Sequence, residues 1–162
     1  YIYMDVIKVS KLDFDKFKLV DSSSGESVEY SLKDLLKVNE DNYQQEFLNQ
    51  ASKYVYWQAV LQNLKVYQEG VQREAEIQHA NSYNIAYNYL KNTAKMNRPT
   101  KDMIESIIMR DKDYQDKLIA VEDSSESVGL INAIVKALEQ RKDMLIQYGA
   151  DQRNQNQNSI QR

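Results

Sequence analysis

The residues with the most chemical potential in this chain lie between Ser82 and Lys101, in the run SYNIAYNYLKNTAKMNRPTK. It carries the cations Lys91, Lys95, Arg98 and Lys101, the rings of Tyr83, Tyr87 and Tyr89, and the amides of Asn84, Asn88, Asn92 and Asn97. No carboxylate occurs between Glu76 and Asp102. Cations meet phosphates, rings offer platforms for unpaired bases, and amides add sequence-tolerant hydrogen bonds, so the chemistry indicated is binding of single-stranded nucleic acid. Tyr83 and Tyr87 are four residues apart and share a helix face. Lys91, Lys95 and Arg98 follow at steps of three and four, and a helix continued to Asn97 would gather them on one side. The competing use of the rings is packing, since tyrosine suits half-buried helix contacts with its hydroxyl left wet.

Other chemistry finds little to stand on. There is one histidine, His79, and no cysteine, which removes disulfides and thiolate metal sites. No glycine-rich phosphate loop and no nucleophile motif occurs. Asp111, Asp113 and Asp116 lack the glycine and closing glutamate of a calcium loop, and read instead as the solvated start of a helix. His79 reads as a helix-surface residue. The expectation is a protein without enzymatic activity, cofactor or metal.

Charge is unevenly placed. The chain has a net charge of −3, yet residues 51–100 hold six basic against three acidic residues. The whole is not polybasic, and any anion site is local. No apolar run of about 18 residues is present, so no membrane span is expected. YIYMDVIKVS does not resemble a signal peptide, and a cytoplasmic location is expected.

Four glycines and one proline in 162 residues leave room for few, long elements, which must be helices. FKLVDSSSGESVEYS has two alternating runs about a Ser/Gly turn, so residues 1–30 are expected to form a short hairpin or irregular arm, its acids and lysines solvated. Ser31 should cap a short helix in LKDLLKV. A helix then runs from about Tyr43 to Thr93, with Phe47, Ala51, Tyr54, Leu61, Leu64 and Val71 on its apolar face and Gly70 as a possible bend. Pro99 ends that segment, and Thr100 caps KDMIESIIMR, with Ile104, Ile107 and Ile108 inward. Asp111 or Asp113 starts another helix, AVEDSSESVGL is a weak patch, and Gly149 caps the final helix. Residues 31–149 form the helical domain, and the polar residues 150–162 are expected to be disordered.

The fold class is therefore mainly α, with long amphipathic helices. Mean hydropathy is −0.69, low for a chain that buries its own core, so a homo-oligomer, closed as a ring, is expected. Ile134, Leu138, Leu145 and Tyr148 line one side of the last helix and are expected to form the contact between subunits.

The segments YVYWQAVLQNLKVYQEGVQREAEIQ, LKDLLKVNEDNYQQEFLNQASKYVYWQ and ALEQRKDMLIQYGADQR resemble the UvsY-like recombination mediators of tailed phages, over roughly Leu32 to Arg153. The resemblance implies a helical, ring-forming protein that binds single-stranded DNA. It implies a role in loading a RecA-like recombinase onto DNA covered by single-stranded DNA-binding protein, with no catalytic step and no metal. It also implies a DNA contact late in the long helix, although Asn84 and Ala86 stand where the family pattern favours a base. With that departure, either the contact moves on to Lys91, Lys95 and Arg98 or binding is weaker. The alternative is a helical phage structural or scaffolding protein without nucleic acid binding.

Overall fold

The computed structural model describes residues 6–160. Three strands come first: β1 (Val6–Val9), β2 (Lys16–Asp21) and β3 (Ser27–Ser31). They form an antiparallel sheet in the order β1-β2-β3, with Phe17 opposite Tyr30 and Leu19 opposite Val28. Asp21 makes the β2–β3 turn: its Oδ1 accepts from the backbone N–H of Ser23 and Ser24, and Gly25 takes a positive φ of 69°. The expected hairpin is thus β2–β3, with β1 added along its free edge.

Four helices follow. Ser31 caps α1 (Leu32–Leu36), its hydroxyl accepting from Asp34 N–H at 3.2 Å. A 3-10 turn at Glu40–Asn42 leads into α2 (Tyr43–Asn88), which closes with one π turn at Tyr89–Thr93. α3 (Lys101–Ile108) is short, and α4 (Lys112–Ile160) has 49 residues. The chain is mainly helical with one small sheet, and among the described residues no helix is long and apolar enough to cross a membrane.

α2 and α4 pack antiparallel along a seam of polar rungs. Gln50 Nε2 donates to Leu138 O at 2.7 Å, Tyr54 OH to Glu139 Oε1 at 2.9 Å, Gln68 Nε2 to Ser125 Oγ at 2.8 Å, and Lys117 Nζ to Glu74 Oε2 at 2.6 Å. Between the rungs lies the main core. Val6, Val9, Phe17 and Leu19 of the sheet meet Trp57, Val60, Leu61 and Leu64 of α2 and Ile131, Ile134, Val135 and Leu138 of α4. Trp57 is fully buried, with Tyr30 at 5.0 Å, Tyr56 at 5.3 Å and Phe17 at 5.7 Å.

Several expectations are corrected. Residues 6–30 are not a solvated arm: they supply one layer of the core, because Phe17 and Leu19 alternate along β2 and the irregularity between Val6 and Lys8 lets Val6 and Val9 both turn inward. Ile134, Leu138 and Leu145 are buried within their own chain, and Tyr148, more than a third exposed, sits against Tyr43 at 5.0 Å. The stripe expected to join subunits is therefore the chain's own seam. Phe47 and Ala51 lie outside the core, and Trp57, Val60 and Ala75 lie inside it.

Gly149 does not end α4, which runs on through Gln152 to Ile160, because asparagine and glutamine lower helix propensity without breaking the backbone. The glycine serves close approach instead: a Cβ there would stand 2.8 Å from Tyr43 OH. AVEDSSESVGL is continuous helix as well. Ser127 uses its place in it to close the edge of β1, accepting from Val9 N–H at 3.1 Å and donating to Asp123 O at 3.0 Å.

Arg141 locks three helices together. Its Nε donates to Leu36 O at 3.2 Å, and one terminal nitrogen donates to Lys37 O at 3.0 Å and pairs with Glu46, while the other donates to Gln50. Arg141 is almost wholly buried. Arg141→Met should lower the urea-derived unfolding free energy by about 3–5 kcal/mol, because Glu46 and two carbonyls lose their partner. A loss below about 1 kcal/mol would show that water replaces the guanidinium.

Candidate nucleic-acid interface

The acid-free window forms the elbow where the chain leaves α2 and turns into α3. Ala86 and Leu90 of α2 pack on Ile104 and Ile108 of α3, with Tyr83, Tyr87, Met96, Ile107 and Tyr114 around them. This second core fixes the elbow at the far end of the seam, about 50 Å along the helix from Trp57.

The last turn widens before it stops. Ala94 N–H donates to Tyr89 O at 3.1 Å, the five-residue step of a π turn, and Met96 N–H donates back to Leu90 O at 3.0 Å. Between them Lys95 takes a φ of 51°, the left-handed geometry that ends helices and that glycine adopts more easily. Thr100 then caps α3, accepting from Met103 N–H at 3.4 Å.

This geometry overturns the single helical face expected for the cations. The helix stops at Thr93, so Lys91 lies on its last turn, Lys95 at the reversal, Arg98 in the connecting strap and Lys101 at the start of α3. All four are exposed and, among the described residues, none is in an ion pair. They form a cluster around a corner. Lys91 and Lys95 also stand at a helix C-terminus, where the backbone dipole favours positive charge.

The three rings part company. Tyr83 and Tyr87 are half-buried against the second core, and Lys91 Nζ stands 5.7 Å over the Tyr87 ring. That face of Tyr87 is already occupied by a cation. Tyr89 is more than half exposed, and it is the ring with a free surface for stacking. Ala86 is buried, so a base at that position would disrupt the α2–α3 contact, whereas Asn84 is exposed.

Polar contacts beside the elbow engage Asp111 and Glu105. Asp111 accepts from Ser82 Oγ through a short hydrogen bond, from Gln78 Nε2 at 3.4 Å, and from Asp113 N–H at 3.1 Å at the start of α4. These bonds, the Ser82 hydroxyl first, hold its carboxyl below the usual aspartate range. His79 is not a free surface residue: Nε2 lies 3.0 Å from Glu105 Oε2, and its ring meets Tyr114 edge-on at 5.3 Å. Asp111 was legible as a helix start; its tie to Ser82 spans 29 residues and has no sequence signal. No group of His, Asp or Glu among the described residues could hold a metal ion. No protein-family model, curated protein or solved structure matches the chain.

Two outcomes test this geometry. Lys95→Gly should raise stability by about 1 kcal/mol in chemical denaturation, because it relieves the left-handed strain; a loss would mean that the lysine side chain anchors the turn. The Asp111 carboxyl binds its proton less readily folded than unfolded. Its contribution is therefore complete above about pH 4 and lost as pH falls below that. Ser82→Ala should flatten the fall in stability below pH 4, and an unchanged acid limb would remove Asp111 as its source.

Proposed function

We propose that the protein is a single-stranded DNA-binding recombination mediator, a homo-oligomer that helps a RecA-like recombinase load onto DNA covered by single-stranded DNA-binding protein. The observation that carries this reading is the elbow: four exposed cations without ion pairs among the described residues, in a run of 25 residues without a carboxylate, beside the exposed ring of Tyr89. A helical scaffold with no nucleic acid role has no need to concentrate charge in this way. The likeness of the helical segments to UvsY-like mediators adds the choice of single-stranded DNA and of recombinase loading.

The elbow suits a flexible strand better than a duplex. Its cations surround a corner, and a single strand can bend to meet them. Phosphate contact by Lys91, Lys95, Arg98 and Lys101 supplies most of the affinity, and Tyr89 adds one stacking position. Tyr83 and Tyr87 shape the elbow from beneath. Binding involves no bond-making step, so neither a cofactor nor a metal enters the mechanism.

The test is salt-dependent binding of labelled oligo-dT. The log–log slope should be roughly −0.7 for each phosphate neutralised. Replacing Lys91, Lys95 and Arg98 together by alanine should reduce its magnitude by about 2 and weaken binding to all sequences alike. Tyr89→Ala should weaken binding by about 1–3 kcal/mol and leave the slope unchanged. A triple variant of unaltered mass with wild-type affinity and slope would exclude the elbow as the DNA site.

A further inference from the structure

We propose that the outward face of α2 pairs with the same face of a second copy of this chain, antiparallel, about a two-fold axis between Gln62 and Asn63. Leu48, Val55, Val66 and Ile77 are each more than half exposed. At about 100° per residue they fall, with Ala59 and Gly70, on one stripe opposite the Trp57, Leu64 and Ala75 that face the seam. Among the described residues, nothing covers the four large side chains of this stripe.

The spacing identifies the occupant. The positions 48, 55, 59, 66, 70 and 77 are separated by seven, four, seven, four and seven residues, an order that reads the same in both directions. In an antiparallel pair, Leu48 therefore lies opposite the second copy's Ile77, Val55 opposite its Gly70, and Ala59 opposite its Val66. Two of the three contacts set a large side chain against a small one, which lets the helices approach closely.

Gly70 is an independent sign. It sits inside a long helix, where glycine weakens the structure, and a Cβ there would meet nothing within 4 Å of its own chain. Among the described residues no contact requires the glycine; an approaching Val55 does.

Charge and area agree. Of the three charged residues between Tyr43 and Val66, Glu46 and Lys53 turn toward the packed side and Lys65 lies on the flank. Further on, Glu69 would face Tyr56 and Arg73 would face Ser52, so no like charges meet. Four large side chains of about 100 Å² apiece supply on the order of 400 Å² of apolar surface. The polar residues between them extend this toward the roughly 800 Å² per partner of a stable interface. An isologous contact of this kind closes at a dimer, and a larger ring would need a second, different contact.

The test uses the absence of native cysteine. Sedimentation at micromolar concentration should give twice the 19.0 kDa chain mass. Val66→Arg and, separately, Gly70→Leu should each reduce it to the monomer with the helical circular dichroism signal intact. A mixture of Ala59→Cys and Val66→Cys chains should be joined by a short bismaleimide, and Ala59→Cys alone should not. A wild-type monomer, an arginine variant that remains dimeric, or self-linking of Ala59→Cys would overturn the proposal. DNA binding is read separately: a dimer that ignores oligo-dT leaves the pairing intact, and a monomer that binds it leaves the elbow intact.

Discussion

Everything in this molecule depends on two helices of 46 and 49 residues stabilising each other. Neither sequence is rich enough in alanine and leucine to hold so long a helix in water alone, and helical stability in such cases comes from tertiary packing. The seam supplies it in two ways. Apolar layers around Trp57, Leu64, Ile131 and Leu138 exclude water, and polar rungs from Gln50 to Lys117 fix the register. Arg141 sits where an error in register would be most damaging, because its guanidinium satisfies groups on α1 and α2 from a position on α4.

The elbow inherits its properties from that pairing. An antiparallel pair must reverse somewhere, and here the reversal is built from a π turn, a left-handed lysine and a capped short helix. Its small core, Ala86, Leu90, Ile104 and Ile108, holds the shape while leaving the cations on the outside. The sheet lies well back along the seam, against Trp57 and Ile134, so it leaves the elbow open to a ligand. Support and proposed contact are thus carried by different residues, which allows one to be altered without the other.

Much of the architecture was legible from sequence. The extent of the long helix, the Ser31 and Thr100 caps and the shared helix face of Ile134, Leu138 and Leu145 follow from periodicity and local capping chemistry, which act over a few residues. What each apolar face packs against did not follow. The Leu145 stripe fits a neighbouring subunit or α2 equally well by pattern, and only the antiparallel return of α4 selects α2. The terminal helix beyond Gly149 was missed because glycine and amides suggest an end, while the Tyr43 contact that explains the glycine is over 100 residues distant. At the site, the composition of the window was visible, but the division of labour among Tyr83, Tyr87 and Tyr89 was not, since it depends on how α3 folds back.

The central claim, that the elbow is where single-stranded DNA meets the protein, is tested most directly by photocrosslinking. Bromodeoxyuridine-substituted oligonucleotide, irradiated with the full-length protein and digested for mass spectrometry, should yield adducts in the peptides spanning residues 89–101, with Tyr89 foremost. Adducts confined to the sheet or to the Arg153 end of α4, with none in that span, would contradict the account.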